Sequence, residues 1–579
     1  MKKIYFLLLA LAFSLAPQLF AQQPPLPKGL TAAESELISG YNFRGNRRTA
    51  PPASPVRTAA EWEEVEYLVV TWDPSFQNIL RQIVAVGVTE CTVIITTQQQ
   101  EAVSTYLTSN GVDLTNIIFL DQPFNSIWTR DYSGNTVYTN DVGDRALVDW
   151  IYNRPRPLDN AMPSAHAAAT GSPIYITDSG LNDLVNTGGN FMSDGLGNAF
   201  ASELILDENA VGNPYGVTPK SETQIDGIMQ AYMGINNYIK MPVLPFDGIH
   251  HIDMHMKLLD EETLLVSRYP DGVADGPQIE ENIQYILDNH VSPFGTPYRI
   301  KRIDSPPSTS GSYPDTNGFY RTYSNAVFIN KSILIPTYRP EVDAVAIALY
   351  QELMPGYNIV GIDVDDAEET LIASSGAIHC ITHTIGVADP LLIVHQPVRQ
   401  AVAGTTVTLN ANIKHASGIT AAIVFWREAG TEVFTETAMT ATGNDNWTAT
   451  IAIDAEGTDV EYYIWAEANS GKTLTRPLVA PDGFWTIDAE MLSVKEWADN
   501  AISGAYPNPT KGQVNFDIKQ LNGQVTISIT NMLGQQLYNG VLENSDGIMT
   551  LNLNSEWNGT LIVMFEGEFG QVARKIIKL

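Results

Sequence analysis

Between about residues 62 and 390 the apolar positions alternate between two periods. Short β-branched runs such as VEYLVVT (65–71), CTVIITT (91–97) and KSILIPT (331–337) read as buried strands. FQNILRQIVAVG (76–87), IEENIQYILDNH (279–290) and VDAVAIALYQELM (342–354) instead space apolar residues by three and four, as amphipathic helices do. Strand, Pro- or Asp-bearing turn, helix and strand follow one another in three regular copies. Two looser copies join ALVDWIYNRPRP (146–157) to IYITDS (174–179), and ELILDEN (203–209), read as a strand, to YIKMPVLP (238–245). Five such units predict a five-bladed, pseudo-symmetric α/β arrangement with loops converging on one cavity, since stacked repeats bury their faces against neighbours. A doubly wound α/β sheet is the structural rival.

Past residue 390 the helical period disappears. TTVTLNANI (405–413), AAIVFWRE (421–428), NWTATIAI (446–453) and VEYYIWAEA (460–468), separated by Gly, Asn and Asp turns, predict an all-β sandwich over 391–489. A last segment, 490–579, with AYPNPTKGQVNF and VARKIIKL, predicts a second β-sandwich. Upstream, MKKIYFLLLALAFSLAPQLFA (1–21) has the two lysines, apolar run and small final residue of a secretory signal. Residues 22–56, rich in Pro, Gly, Arg and Ser, read as an extended leader or propeptide, and the repeats then occupy 57–390.

Charge narrows the partners. Sixty-five acidic against 33 basic residues, a net charge of −32, weigh against sequence-independent nucleic-acid binding and favour cationic ligands. No stretch after the signal reaches the ~18 apolar residues of a membrane span. Two cysteines make no disulfide framework, although the compartment permits a 91–380 bridge. Cys91 reads as part of a buried strand; Cys380 lies in GAIHCITHTIG, among glycine and histidine, where a thiolate can form.

Five polar clusters punctuate the repeats: WTRD (128–131), GGN (188–190), HID (251–253), Asn325 and Cys380. Taking 131, 189, 253, 325 and 380, the gaps are 58, 64, 72 and 55 residues, one cluster per unit. A pair of carboxylates, Asp131 and Asp253, suits a planar guanidinium, which offers its N–H donors in a fork. Cys380 could then attack the central carbon, with His251 protonating departing ammonia and activating water. Trp128 could stack on the substrate's stem or cation. The three histidines of HHIDMH leave a metal site at His251, Asp253 and His255 as an alternative, and His379 or His383 could act as base to Cys380. Asp131 next to Arg130 could also be a structural ion pair.

These motifs, RTAAEWEEVEYLVVTW, WTRDY, NTGGNFMSDG, HHID and GAIHCIT, together resemble the agmatine deiminase and bacterial peptidylarginine deiminase family of guanidino-modifying enzymes over roughly residues 55–390. The resemblance implies a five-bladed α/β-propeller and catalysis without a cofactor, with room for a structural calcium. It also implies Asp131 and Asp253 as guanidinium ligands, His251 as acid and base, Cys380 as nucleophile and Asn325, Gly189 and Asn190 in the pocket. In YNRPRP, Arg154 and Arg156 could clamp a substrate carboxylate. Agmatine has none, so the pair is similar to that of secreted peptidylarginine deiminases preferring C-terminal arginine. Agmatine or free arginine as substrate, and an arginine-binding adhesin without catalysis, are the competing functions. Residues 391–489 resemble the immunoglobulin-like module of such enzymes. The last segment resembles the sorting domain of type IX secretion in Bacteroidota, which implies outer-membrane secretion machinery as a partner.

Overall fold

The computed structural model describes residues 25–43, 49–177, 180–455, 457–490, 502–567 and 570–579. The signal segment 1–21 lies outside the described residues. Up to residue 386 the chain forms five separate small sheets of three or four strands, none closed on itself. Each begins with an antiparallel pair and continues in parallel. His383–Gly386 lies antiparallel to Val65–Thr71, which runs parallel to Thr92–Thr96 and so to Ile117–Leu120. The same order recurs through Asn135–Thr139, Arg145–Asp149 and Ile174–Ile176, and through Met192–Ser193, Asn198–Ser202 and Asn237–Met241. It recurs again in Met256–Leu258, Thr263–Arg268 and Arg299–Asp304, and in Val327–Ile329, Ser332–Thr337 and Asn358–Asp363.

A helix bridges a parallel step in every sheet: Gln77–Glu90, Met162–Thr170, Glu222–Met233, Gly276–Asn289 and Pro340–Leu353. A parallel pair needs such a crossover. The helices bury the predicted stripes, as with Ile79, Leu80, Ile83 and Val84 on the first. The strands they cover are buried on both faces, so they read as continuous apolar runs.

Upstream of residue 390 three expectations change. ELILDEN is not a strand: Leu204–Glu208 is a short helix, and the strand of that unit is the small-residue run Asn198–Ser202, which pairs along its length with Asn237–Met241. Cys91 caps the helix Gln77–Glu90 instead of lying in the following strand. Burial pushes its thiol up to about 12, and both cysteines are free. The leader is not simply extended either. Thr31 and Glu34 form a reciprocal capping box that starts the helix Ala32–Leu37, and Phe43 packs edge-on against Tyr41 and Tyr215.

Beyond residue 390, a four-stranded sheet built on Thr406–Lys414 and Asn446–Ala452 faces a six-stranded one built on Ile419–Glu428 and Val460–Ala468. Leu409, Ile413 and Ile451 of the first share a core with Val424, Tyr462 and Ile464 of the second. The last segment is a single antiparallel sheet of four strands, not two sheets. Its longest strands, Gln513–Asn531 and Gln536–Asn552, shift register between Ile518 and Gln524, so that Phe516 from one half meets Phe565 across the core of the other. Among the described residues no helix is long and apolar enough to cross a membrane.

Ion pairs tie the first β-rich region to the repeats: Arg476 to Glu261 (3.0 Å), Arg399 to Glu262 (2.8 Å), Lys414 to Asp141 (2.8 Å) and Lys472 to Glu64 (2.7 Å). Arg476 donates to both oxygens of the buried Glu261. Removing one partner of a buried pair strands the other charge, so Arg476→Ala should cost about 3 kcal/mol or more. Denaturant melts check this; an unchanged midpoint would show that the seam carries no stability.

Candidate active site

The five polar clusters occupy equivalent places. Each sits in the tight turn leading into the first antiparallel strand of its sheet. Thr129–Tyr132 precedes Asn135–Thr139, Gly188–Asn190 precedes Met192–Ser193, and Ile252–Met254 precedes Met256–Leu258. Asn325 precedes Val327–Ile329, and His379–Ile381 precedes His383–Gly386. These turns pack against one another, which gathers residues up to 249 positions apart, from 131 to 380, into one buried group. Cys380, His251, Asp253 and Asp131 are all at most 4% exposed.

The sulfur of Cys380 lies 3.6 Å from Asp253 Oδ2, and Asn325 Nδ2 donates to it at 3.2 Å. Asn325 also bonds the carbonyl of Asp253 (3.2 Å) and accepts from the His379 N–H (3.0 Å), so it fixes nucleophile and carboxylate together. His251 Nδ1 stands 3.3 Å from Asp131 Oδ1, while its Nε2 meets the Thr187 hydroxyl at 3.0 Å. Among the described residues, neither His251 Nδ1 nor Asp131 Oδ1 has a well-formed hydrogen bond. That leaves acceptor capacity at the carboxylate.

Burial dominates the electrostatics. It pushes the Cys380 thiol up to about 12, helped by Asp253 and opposed by the cation of Lys28. It lowers the pKa of His251 against the pull of Asp131, so the imidazole is neutral at rest. For Asp253 burial acts the other way but is outweighed by Lys28 and His379, which hold the carboxyl below its ordinary range. Asp131 is likewise lowered, by His251 and Lys28 against burial.

Glu61 is not singled out by sequence, whereas His379 is, as a possible base to Cys380. His379 is bound at both ring nitrogens, Nδ1 to Asp253 (2.8 Å) and Nε2 to Glu61 (2.9 Å). Glu61 also pairs with Arg130 (3.0 Å) and Lys257. This chain orients Asp253, and it leaves His379 no free nitrogen to serve as base to Cys380. His383 is turned to the carbonyl of Gly134 (2.9 Å). The HHIDMH histidines diverge: His255 pairs with Asp247 (3.1 Å) while His251 faces Asp131, and Ile252–Met254 is a turn, not a strand. Among the described residues no three His, Cys, Asp or Glu side chains form a metal-holding group.

Two glycines make room for this packing. A Cβ on Gly189 would stand 2.5 Å from His251 Nδ1 and 2.7 Å from Asp131 Oδ1; one on Gly376 would stand 2.4 Å from the Trp128 ring and 3.2 Å from Cys380 Cβ. Asn190 bonds the Ser202 backbone in both directions and so shapes its turn. Asp131 takes no ion pair with Arg130, whose partner is Glu61.

A peptide already threads the site. The ammonium of Lys28 lies 2.9 Å from Cys380 Sγ and 3.5 Å from Asp253 Oδ1. Trp128 Nε1 donates to the Leu26 carbonyl (2.9 Å) and Arg154 Nε to the Lys28 carbonyl (3.1 Å). Arg156 reaches the carbonyls of Pro27 (2.8 Å) and Gly29 (3.1 Å), and pairs with Glu34. Both arginines are buried.

Comparison with known proteins follows the same division of the chain. Residues 55–385 match the model of the Porphyromonas-type peptidyl-arginine deiminase family, and residues 504–579 that of the secretion system C-terminal sorting domain. A Vibrio parahaemolyticus protein described as "Putative agmatine deiminase" is 26% identical over 294 residues, covering 47% of this chain and 78% of its own. A Yersinia pestis protein of the same description is 26% identical over 301 residues, with the same coverage. A solved structure described as a "putative agmatine deiminase" aligns with a TM-score of 0.50 at 18% identity, covering 59% of this chain and all of that one. Another, described as the "Putative Arginine Deiminase from Porphyromonas gingivalis", gives 0.49 at 21%, covering 57% and 98%. The family match extends over more than half of the chain and contains all five polar clusters. The protein therefore belongs to the Porphyromonas-type peptidyl-arginine deiminase family and, with its C-terminal type IX sorting domain, is a secreted or cell-surface protein.

Proposed function

We propose that the protein hydrolyses peptidyl arginine, preferably at a peptide's C-terminus, to peptidyl citrulline and ammonia. The observation that carries this reading is a cationic side chain of a peptide lodged beside Cys380 and Asp253, with Arg154 on the carbonyl of the same residue. An arginine in that place would present its guanidinium between Asp131 and Asp253. If it were C-terminal, its carboxylate would fall where Arg154 Nε now holds a neutral carbonyl, and a charge-assisted bond is about twice as strong.

In this reading the sulfur of Cys380 bonds to the guanidinium carbon, its proton passing to the neutral His251. His251 returns the proton to the departing nitrogen as the C–N bond breaks, releasing ammonia and leaving an S-alkylthiouronium. Water, deprotonated by His251, attacks that carbon; the C–S bond breaks, the proton of the added hydroxyl returns sulfur to its thiol, the ureido product leaves, and the proton on His251 is taken up by ammonia. The net change is guanidinium plus water to urea group plus ammonium. A thiol raised to about 12 by burial is mostly protonated in the resting site, and the arriving cation offsets the charge that the thiolate would add to two carboxylates. The five sheets, with their active-site turns meeting at one place, suit the propeller arrangement. Residues 57–390 then form the catalytic domain, 391–489 an immunoglobulin-like module and 490–579 the sorting domain.

The curated relatives favour a second reading, deimination of agmatine, which is what their descriptions print. Arg154→Ala separates the two. With a peptide ending in arginine, kcat/KM should fall by about 10²-fold, the loss of a charge-assisted clamp of ~3 kcal/mol, while any reaction with agmatine, which lacks the carboxylate, should change little. Equal losses on both substrates, or activity on agmatine alone in protein freed of its leader, would refute the peptide assignment.

A further inference from the structure

The segment Pro25–Gly29 lies in the site as a substrate would, but it carries the wrong side chain for reaction. Its main chain is held at successive points: the Lys28 N–H donates to the Ser374 carbonyl (3.0 Å), and the Leu26, Pro27, Lys28 and Gly29 carbonyls accept from Trp128, Arg156, Arg154 and Arg156. Gly29 passes close to Ile249, whose Cδ1 stands 3.1 Å from where a Cβ would be. Behind it the capped helix Ala32–Leu37 sets Glu34 against Arg156 (2.7 Å), and Phe43 is buried in a small cluster with Ile151, Val185, Tyr215 and Val217. Lys28 itself is fully buried. Its ammonium pairs with Asp253 and lies against the sulfur of Cys380, yet it has no electrophilic carbon for sulfur to attack.

We propose that the leader is an internal pseudosubstrate: Lys28 occupies the arginine position, and the chain is latent until residues 25–43 leave the site. This rests on the guanidinium reading of the site given above. The choice of lysine is what makes the block durable. A leader arginine would be converted to citrulline, lose its charge and with it the attraction of Asp131 and Asp253.

The full chain provides the test through two readouts. The first is alkylation of Cys380 by chloroacetamidine, a small cation with a reactive carbon, followed by peptide mapping that separates Cys380 from Cys91. The wild type should be modified slowly. Lys28→Glu, which sets a carboxylate against Asp131 and Asp253, should be modified at least about 10-fold faster, because a tethered strap lowers the open fraction. The free peptide PLPKGL should restore protection to the variant, and PLPAGL should not. Equal rates in wild type and variant, or no protection by PLPKGL, overturn the proposal whatever the protein does to arginine. The second readout is Lys28→Arg, which keeps the strap in place. Its guanidinium should gain the mass of an NH-to-O exchange at position 28, at a rate independent of protein concentration, and Cys380→Ala should prevent this. Protection of Cys380 without that exchange would overturn the deiminase reading and the pseudosubstrate with it; exchange without protection would uphold the enzyme and refute latency.

Discussion

Cys380→Ser is expected to abolish ammonia release from arginine peptides, lowering kcat by at least about 10⁴-fold, or ~5.5 kcal/mol of barrier. A serine hydroxyl is far less acidic than a thiol, too weak an acid for the neutral imidazole of His251 to deprotonate readily, and the other nearby imidazoles are engaged. His379 is held by Asp253 and Glu61, and His383 by a carbonyl. The thiol's advantage is polarisable sulfur that can be ionised when a cation arrives. Folding should be intact, since the side chain sits in the same turn and the two atoms differ little in size. Single-turnover assays on protein freed of its leader check this, with far-ultraviolet circular dichroism as the control. Retention of even a tenth of the wild-type rate would remove Cys380 from the role of nucleophile.

Gly189→Ala should cost less than the loss of the nucleophile but should act on both substrates, through bulk alone. The backbone there is not in the left-handed region, so the effect is steric: a methyl 2.5 Å from His251 Nδ1 and 2.7 Å from Asp131 Oδ1 must push one of them aside. Displacing a catalytic group by about 1 Å costs on the order of 10²-fold in rate, and overpacking a buried turn costs about 1–3 kcal/mol in stability. Steady-state kinetics should show kcat falling about 10²-fold with peptide and agmatine alike, unlike the substrate-selective loss at Arg154. A variant with unchanged kcat would mean that His251 and Asp131 can move apart freely and need not be held as they are.

Much of the site could be read from the chain because each repeat contributes one short motif of unusual composition. WTRD, GGN, HID, Asn325 and Cys380 stand out against apolar strands, and their even spacing follows from one turn per sheet. Strands and helices with continuous β-branched runs or clean three-and-four spacing are found where the pattern puts them. The exceptions have physical causes. Asn198–Ser202 is a strand of small residues, chosen by its parallel partner and not by its own propensity, and the neighbouring ELILDEN gave the stronger apolar signal. The final sheet turns on itself through register shifts that hydrophobic alternation does not encode.

What lay beyond the sequence was mainly a matter of which charges meet. Glu61 in EWEEVEY is one of several acidic residues in a row, and nothing local distinguishes it. Only the fold brings it to His379, Arg130 and Lys257. Arg154 and Arg156 were legible as a clamp, but their present occupants, the backbone and Glu34 of the leader, lie more than 110 residues away in sequence. Asn190 also holds the Ser202 backbone, a contact that its place in GGN does not announce.

By itself the sequence determined the types of element, the repeated unit, the family, the export signal in the C-terminal segment and the residue types of a guanidine-modifying site. Periodicity and short motifs are local properties, preserved in one dimension. The tertiary structure alone decided that His379 serves Asp253 instead of Cys380, that two glycines must lack a side chain, and that a lysine from the leader lies against the thiol. These are contacts between turns contributed by different sheets, and they depend on distances that no spacing along the chain specifies.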